Sequence, residues 1–298
     1  MNLRHLSYLI ALAREEHFGR AAETVHITQP ALSAAINQLE EELGVPLVLR
    51  SRQRLEGFTA EGREVLNWAQ NILADVETLK QTLEQMRGKL GGHLRLGVIP
   101  TAEPIIATLT RALHEQHPNV TVTVLSHTSQ EIERGIEDHS LDAGVAYLED
   151  KRMENLIGMQ LYLERYVVVG AAPLLNKAKS LSWKDAAKLP LCLLSRDMHN
   201  RALTDQHFEA AGAVPSVVAE TNTLMGVLSH VRSGAWCGVL PRTVLGLIDE
   251  KSDLRVVSLH EPDVVHPVGL LYPPRKPLQP LIQALVEAAK RASFADAV

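Results

Sequence analysis

Three short polar residues recur at intervals of four in the N-terminal part of the chain: Gln29, Ser33 and Asn37. On an α-helix this spacing places them in one row on one face. A side-chain amide can pair with the edge of adenine through two hydrogen bonds, and a serine hydroxyl can bond to several bases. The row therefore has the chemistry needed to read base edges in a DNA groove.

The stretch that carries this row has the local signals of a helix over residues 29–43. Thr28 is a suitable N-cap, Pro30 fits the first turn, and Gly44 suits a left-handed C-cap. A second face carries apolar residues at spacings of three and four: Leu32, Ile36, Leu39 and Leu43. We expect that face to pack on a core while the polar row points outward.

A shorter helix is predicted over residues 18–25, and residues 26–28 leave room only for a sharp turn. Two helices joined in this way form a helix-turn-helix, whose second helix enters the major groove. In the loop-rich segment that follows, three arginines are placed like a wing that contacts phosphate: Arg50, Arg52 and Arg54. The alternative is an ordinary amphipathic helix pair whose polar face meets water.

The composition suits a globular protein with two or three domains, since the 298 residues are 46% hydrophobic. The net charge of −5 means that DNA binding would depend on the local placement of arginines and helix N-termini. We find no signal-peptide region and no apolar run of about 20 residues, so a cytoplasmic protein without a membrane partner is expected. Cys192 and Cys237 are too few for a disulfide framework.

A long helix is predicted from about residue 59, where apolar residues recur every seven positions. Such a heptad pattern favours a coiled coil, and hence a homodimer that sets the spacing of two DNA half-sites. The side chains expected at the dimer interface are Val65, Ile72, Val76, Leu79 and Leu83. The alternative is a helix that lies on its own domain. Gly88 and residues 91–92 are expected to end the helix and form a hinge.

From residue 93 onward, predicted strands alternate with helices. The strands are predicted at residues 93–98, 120–126, 142–147, 166–170, 191–194, 217–220, 238–240 and 268–271. This alternation indicates an α/β fold with parallel strands and helical crossovers, closed by a final amphipathic helix over residues 278–292.

Ligands of open α/β sheets bind beyond the carboxyl ends of strands, where helix N-termini offer free N–H groups. Four segments fit this position: residues 100–101, 128–129, 197–201 and 221–223. Their hydroxyls suit a small anion such as a carboxylate, and Arg201 would add positive charge. The alternative for each hydroxyl is that it only caps a helix.

The run AAETVHITQPALSAAINQLEEELGVPL closely resembles the N-terminal domain of LysR-type transcriptional regulators, with its alanine pair, its Thr-Gln-Pro-Ala-Leu-Ser core and its Leu-Glu-x-x-Leu-Gly-x-x-Leu ending. The resemblance implies a winged helix-turn-helix at residues 1–58, a linker and dimerisation helix at 59–90, and an effector-binding domain at 91–298. That domain is expected to resemble periplasmic solute-binding proteins. One lobe would comprise about residues 93–161 and 268–298, and the other about 162–267.

Residue roles follow from the pattern and the resemblance together. The residues expected to contact DNA are Arg20, Thr28, Gln29, Pro30, Ser33, Asn37, Arg50, Arg52 and Arg54. Those expected to bind an effector are Pro100, Thr101, Thr128, Ser129, Asn200, Arg201 and Thr223, of which Thr101, Ser129, Asn200 and Thr223 are carried over from the family. The expected partners are double-stranded DNA, a small-molecule effector, further copies in a homodimer or homotetramer, and RNA polymerase. No cofactor or metal is expected.

Two other functions stay open at this point. One is a redox-responsive regulator that uses Cys192 and Cys237, although the family's peroxide-sensing branch has cysteines in the segment aligned with residues 197–208 and this chain has none there. The other is a solute-binding protein without DNA binding, against which the helix-turn-helix speaks. An enzyme is not expected, because the chain has no nucleophile elbow, P-loop, dinucleotide-binding glycine motif or HExxH motif.

Overall fold

The computed structural model describes residues 2–51, 54–149, 155–175, 178–248 and 253–294. The chain divides into two compact units, residues 1–88 and residues 89–298. Within the described ranges, no helix is long and apolar enough to cross a membrane. The same ranges hold no group of three or more His, Cys, Asp or Glu side chains arranged to bind a metal ion.

The first unit contains four helices and a two-stranded antiparallel hairpin. In chain order they are α1 (Leu3–Glu15), α2 (Phe18–Thr24), α3 (Gln29–Leu43), β1 (Val48–Ser51), β2 (Arg54–Phe58) and α4 (Ala60–Met86). The side chains of Asn2, His17 and Thr28 each accept a hydrogen bond from a backbone N–H in the first turn of the helix that follows. These caps explain why the three short helices begin where they do.

The apolar face of α3 packs against α1 and α2. Fully buried members of this core are Leu6, Leu9, Leu12, Leu32, Ile36, Leu39 and Leu47. Leu43, which the spacing placed with them, is 39% exposed because it lies in the last turn, just before Gly44 ends the helix at φ 73°. Glycine adopts this left-handed conformation without strain.

Near its N-terminus, helix α4 packs closely against the rest of the first unit. A Cβ at Gly62 would lie 1.9 Å from the carbonyl oxygen of Leu47, so only glycine permits this approach. Val65 and Ile72 are partly buried against the core of the unit. Along the same helix, Leu79 and Leu83 are 60% and 48% exposed. The heptad pattern is therefore divided between residues that pack on their own domain and residues that face outward.

The second unit begins with β3 (Gly92–Val98), a short 3-10 helix (Pro100–Ala102), α5 (Glu103–Gln116), β4 (Val120–Ser126), α6 (Ser129–Glu137), β5 (Ala143–Tyr147) and β6 (Ile157–Glu164). It continues with β7 (Tyr166–Ala171), α7 (Ala172–Leu175), β8 (Ser180–Ser182), α8 (Trp183–Ala186), β9 (Leu191–Leu194), α9 (His199–Ala210), β10 (Val217–Thr221), α10 (Leu224–Arg232), β11 (Cys237–Pro241), a second 3-10 helix (Arg242–Leu247) and β12 (Leu254–His260). It closes with β13 (His266–Tyr272) and α11 (Pro280–Arg291).

These elements form two lobes, each with its own sheet. The first sheet has the strand order β4-β3-β5-β13-β6, and the second has the order β10-β9-β11-β7-β12-β8. The chain passes between the lobes twice, at Arg165 between β6 and β7 and at residues 261–265 between β12 and β13. We call these two passages the crossover segments.

The expectation of parallel sheets with helical crossovers holds for only part of each lobe. Strand β3 runs parallel to β4 and β5, and β9 runs parallel to β10 and β11. By contrast, β13 is antiparallel to β5 and β6, and β7 is antiparallel to β11 and β12. The strands next to a crossover segment reverse direction because the chain passes from sheet to sheet there without a helical connection.

Candidate nucleic-acid interface and ligand cavity

Helix α3 presents the polar row outward. The side chains of Gln29 and Asn37 are exposed and that of Ser33 is partly buried. Thr28 caps the helix and Pro30 is exposed in its first turn, so both lie beside the row at the helix N-terminus. We call Gln29, Ser33 and Asn37 the reading row. Its position matches the direction that the sequence predicted for it.

The wing contributes Arg50 directly beside the reading row. Its guanidinium donates from Nη1 to Ser33 Oγ at 3.2 Å and from Nη2 to Glu40 Oε2 at 3.4 Å, and it lies 5.1 Å from the centre of the Phe18 ring. A cavity of about 480 Å³ lies beside the reading row. It is lined by Phe18, Gln29, Pro30, Ser33 and Arg50. Arg50 is thus held against α3 instead of reaching outward from the hairpin.

Glu40 connects α3 to the hairpin. One carboxylate oxygen accepts hydrogen bonds from the backbone N–H groups of Leu47 and Val48, at 2.7 and 3.1 Å, while the other pairs with Arg50. The charge of this glutamate therefore holds the start of the wing in place. A carboxylate that lies seven residues before the first backbone N–H it accepts from gave no recognisable signal in the sequence.

The remaining arginines predicted to contact DNA either lie apart from the reading row or fall outside the described residues. Arg20 is 60% exposed, with its guanidinium donating to the carbonyl oxygen of Glu15 and lying 3.5 Å from the Glu15 carboxylate. Arg52 and the side chain of Arg54 lie outside the described residues. The structure therefore brings the reading row, Pro30 and Arg50 together, and leaves Arg20 as a separate charge.

In the second unit, five predicted effector residues meet at one small cavity between the lobes. Pro100, Thr101, Thr128, Ser129 and Asn200 line it, together with Ile99, Tyr147, Leu194, Met198 and His199. The 3-10 helix after β3, α6 and α9 all begin at this place, so the N-termini of α6 and α9 meet there. We call this space the interlobe cavity. Its volume open to water is about 10 Å³, which is room for about one water molecule.

One hydroxyl at the interlobe cavity lacks a partner. Ser129 is 2% exposed, and its Oγ forms no hydrogen bond with any described residue. A buried hydroxyl without a partner costs free energy, and groups of this kind are rare in folded proteins. The neighbouring Thr128, by contrast, forms a reciprocal capping box with Glu131, so its hydroxyl serves α6.

Tyr147 connects the two lobes beside the cavity. Its hydroxyl donates to the carboxylate of Glu164 and lies 3.2 Å from the hydroxyl of Thr101. From the second lobe, the Asn200 amide donates to the hydroxyls of Tyr147 and Tyr166, at 2.9 Å each. A further bond joins the lobes where Thr243 Oγ1 donates to the carbonyl oxygen of Thr101 at 3.2 Å. The lobes are thus held together by buried polar contacts.

Glu164 provides the ionisable carboxyl group at the centre of this network. It is fully buried, and burial raises the pKa of its carboxyl to about 7, although hydrogen bonds from Tyr147 and Tyr162 oppose the shift. Burial and the nearby Glu164 raise the pKa of Tyr147 well above its usual value, so this tyrosine stays protonated. Glu164 gave no recognisable signal in the sequence, because a glutamate in a strand normally faces solvent.

A histidine pair lies next to the network. His207 Nε2 and His266 Nε2 are 2.8 Å apart, and His266 Nδ1 lies 3.0 Å from the Glu149 carboxylate. Burial lowers the pKa of His207 to about 4, with a further contribution from His266. His207 is therefore neutral at physiological pH. The two nitrogens can then share one proton in a hydrogen bond.

Two of the predicted effector residues have structural roles. Arg201 is 2% exposed, and its guanidinium donates to Asp205, Glu220 and the carbonyl oxygen of Leu194 at 2.7–2.8 Å. These contacts satisfy its charge, so the expectation that Arg201 adds charge to a ligand site is wrong. Thr223 is exposed and caps α10 by accepting a hydrogen bond from the Gly226 N–H at 3.0 Å, as the capping alternative had it.

The two cysteines are badly placed for a redox switch. Cys237 is paired in register with Leu191 and Gly238 with Cys192, so the cysteines are offset by one residue on adjacent strands. Because side chains alternate along a strand, the thiols point to opposite faces of the sheet. Both are free and buried, and burial raises the pKa of Cys192 and raises that of Cys237 to about 11. This geometry argues against a switch built on a disulfide between these two thiols.

Comparison with known proteins agrees with this two-part architecture. Residues 3–63 match the family model described as "Bacterial regulatory helix-turn-helix protein, lysR family", and residues 87–293 match "LysR substrate binding domain". The chain belongs to the LysR family, and it is a DNA-binding transcriptional regulator with an effector-binding domain. This finding overturns the alternative of a solute-binding protein without DNA binding.

Relatives of named function align with nearly the whole chain. One is the DNA-binding transcriptional dual regulator OxyR of Escherichia coli strain K12, 29% identical over 297 residues, which are 97% of this chain and 95% of the relative. Another is the HTH-type transcriptional regulator IlvR of Caulobacter vibrioides, 28% identical over 292 residues and 96% of each chain.

Solved structures show the same fold. A full-length OxyR variant from Pseudomonas aeruginosa superimposes with a TM-score of 0.78 at 24% identity, covering 98% of this chain and 96% of that one. Full-length CbnR in complex with its target DNA gives a TM-score of 0.66 at 23% identity, covering 98% of this chain and 99% of that one. At this identity the likeness establishes the fold alone.

Proposed function

We propose that this regulator reads its operator with the reading row of α3 and senses a small anionic metabolite at the interlobe cavity. The observation that carries the effector site is the buried Ser129 hydroxyl without a partner. It lies where Thr101 and Asn200 from the two lobes also meet. A ligand that accepts a hydrogen bond from Ser129 would remove an energetic cost that the ligand-free protein carries.

The chemistry of the cavity supports an anion that is held by neutral donors. The N-termini of α6 and α9 meet there, and helix N-termini favour negative charge. Arg201 is committed elsewhere, so helix N–H groups, hydroxyls and the Asn200 amide replace a cationic side chain. Because the cavity holds only about one water, an effector must part the lobes and break the contacts of Tyr147 and Asn200.

On DNA, we propose that two copies act together. Leu79 and Leu83 are the exposed apolar residues of the predicted interface, whereas Val65 and Ile72 are already packed against their own domain. The dimer contact would therefore lie in the C-terminal half of α4, and two dimers would form a homotetramer. Matching half-sites on DNA would follow from the two-fold symmetry. RNA polymerase is the partner whose recruitment such a DNA-bound assembly would change.

Ser129→Ala tests the effector site in the full-length chain. We expect the ligand-free variant to be more stable than the wild type by up to about 1 kcal/mol, because the unpaired hydroxyl is gone. A panel of small carboxylates, screened by thermal shift, should stabilise the wild type and stabilise this variant much less.

Thr223→Ala is the matched control, since it removes a predicted effector hydroxyl that caps α10. It should lower stability by about 1 kcal/mol and keep the full ligand-induced shift. A carboxylate that stabilises Ser129→Ala as strongly as it stabilises the wild type would rule out the proposed site.

A further inference from the structure

We infer that the effector domain has a second ligand site, at the crossover segments, for a small monocarboxylate with an apolar body. The site is a cavity of about 440 Å³ lined by residues of both crossover segments and of β7, α8, the second 3-10 helix and β12. We call it the hinge pocket. The hinge pocket is separate from the effector site proposed above, which is the interlobe cavity.

The cationic wall of the hinge pocket comes from two arginines. Arg165 is the single residue between β6 and β7, and its guanidinium forms an ion pair with Asp263 of the other crossover segment. Arg242 donates from its backbone N–H to the carbonyl oxygen of Arg165 at 2.8 Å, so the two residues are held side by side. The first crossover segment is thus joined both to the second one and to the start of the 3-10 helix.

Arg242 leaves positive charge available in the hinge pocket. Its side chain is partly buried, and no carboxylate among the described residues lies within ion-pairing distance of it. Arg165, by comparison, is balanced by Asp263. A carboxylate ligand would give Arg242 the partner that no described residue supplies, and the planar guanidinium can bind it through two parallel hydrogen bonds.

The floor of the hinge pocket is apolar. Trp183 is 1% exposed and is fixed there by a hydrogen bond from its Nε1 to the carbonyl oxygen of Pro262, at 3.2 Å. Leu259 and Val264 pack in the same apolar cluster as Trp183 and also line the pocket. An apolar body of about six carbons attached to the carboxylate fits this combination of a cationic wall and an apolar floor.

The hinge pocket touches the polar network that holds the lobes together. Tyr166 lines the pocket, and its hydroxyl accepts a hydrogen bond from Asn200. A ligand that contacts both crossover segments would favour one lobe arrangement over another, to the extent that it binds the two arrangements differently. The pocket is therefore placed to modulate the response of the interlobe cavity.

Hexanoate is the probe for this site, with hexanamide as its neutral match, in calorimetric titrations of the full-length chain. We expect hexanoate to bind in the millimolar range or tighter and hexanamide to bind more weakly. Arg242→Gln should lower the affinity for hexanoate by about 10-fold or more, because a charge-assisted hydrogen bond is lost. Arg196→Gln, which removes an 80% exposed charge from the same lobe, should leave it unchanged.

Ser258→Trp provides a second variant that does not remove charge. Ser258 lines the pocket on β12 at an exposed position, so a large side chain there should fill the pocket without disturbing the core. It should also abolish hexanoate binding. Ser129→Ala separates this site from the proposed effector site: it should bind hexanoate like the wild type.

Three results would overturn the inference. These are the absence of hexanoate binding at millimolar concentration, equal affinities of the wild type and folded Arg242→Gln, and loss of binding in Ser129→Ala with retention in Arg242→Gln. The last result would place the probe in the interlobe cavity and leave the proposed function intact.

Discussion

The reading row and the interlobe cavity are built from similar polar side chains. These side chains are largely exposed in the reading row and buried at the cavity. Gln29 and Asn37 are exposed on a helix that its cap and core hold in place. Thr101, Ser129 and Asn200 are 1%, 2% and 6% exposed, and bonds across the lobes engage the Thr101 carbonyl oxygen and the Asn200 amide. The first surface needs no rearrangement to meet DNA, whereas the second must open before a ligand can enter.

This comparison predicts that polar substitutions in the cavity region change stability, while those in the reading row change recognition. Arg201→Ala should have the largest effect. It removes a fully buried side chain and three hydrogen-bond partners, and we expect a loss of about 3–4 kcal/mol in the free energy of unfolding. The value lies at the low end for a broken buried ion pair because Asp205 and Glu220 are 42% and 39% exposed. Urea denaturation of the full-length chain measures it.

Arg196→Ala is the matched control for that measurement. Arg196 is 80% exposed and lies 3.8 Å from Glu220, so its loss should change stability by less than about 0.5 kcal/mol. If Arg201→Ala were as stable as Arg196→Ala and lost only its response to carboxylates, Arg201 would be a ligand contact after all.

Glu164→Gln should change the pH dependence of stability. The pKa of Glu164 is raised from 4.5 to about 7, so this group stabilises the folded chain fully below pH 4.5 and loses that contribution as the pH rises through 7. His207, with a pKa lowered from 6.5 to about 4, acts in the opposite sense: its contribution is present above pH 6.5 and is lost as the pH falls through 4. In the wild type the two contributions largely cancel between pH 4.5 and 6.5.

Removing Glu164 should therefore expose the opposing contribution of His207. Relative to the wild type, Glu164→Gln should gain about 3 kcal/mol of stability between pH 4.5 and pH 8. The measurement is a series of denaturation curves across this range for both proteins. A stability difference that stays constant with pH would show that Glu164 is ionised in the folded chain throughout.

The smallest effect is expected from the cysteines. Because the thiols of Cys192 and Cys237 point to opposite faces of one sheet, their replacement by alanine should leave the response of DNA binding to peroxide unchanged. Mass spectrometry of the native protein after peroxide treatment should find no disulfide between them. Detection of that disulfide in folded protein would restore a redox role.

The sequence alone predicted the features that depend on local periodicity. The caps and spacing of residues 28–44 were enough to orient the reading row, and the ends of β3, β4 and β9 together with the family resemblance selected Thr101, Ser129 and Asn200, which lie at one cavity. The polar network around Glu164 could not be found in this way, because Tyr147 and Asn200 lie 17 and 36 residues away in sequence. For the same reason Arg201 was misassigned, since its partner Glu220 is 19 residues downstream. The directions of β6, β7, β12 and β13 depend on where the chain crosses from one lobe to the other. No local sequence pattern predicts these crossings.

The most direct test of the account is the base preference of Gln29→Ala. Full-length wild type and variant would be compared by competitive DNA binding, using an operator selected from random sequence and every single base-pair substitution of it. We expect the variant to lose about 1–3 kcal/mol of discrimination at one position in each half-site and to keep it elsewhere. Unchanged discrimination at every position would show that α3 does not read DNA through this row.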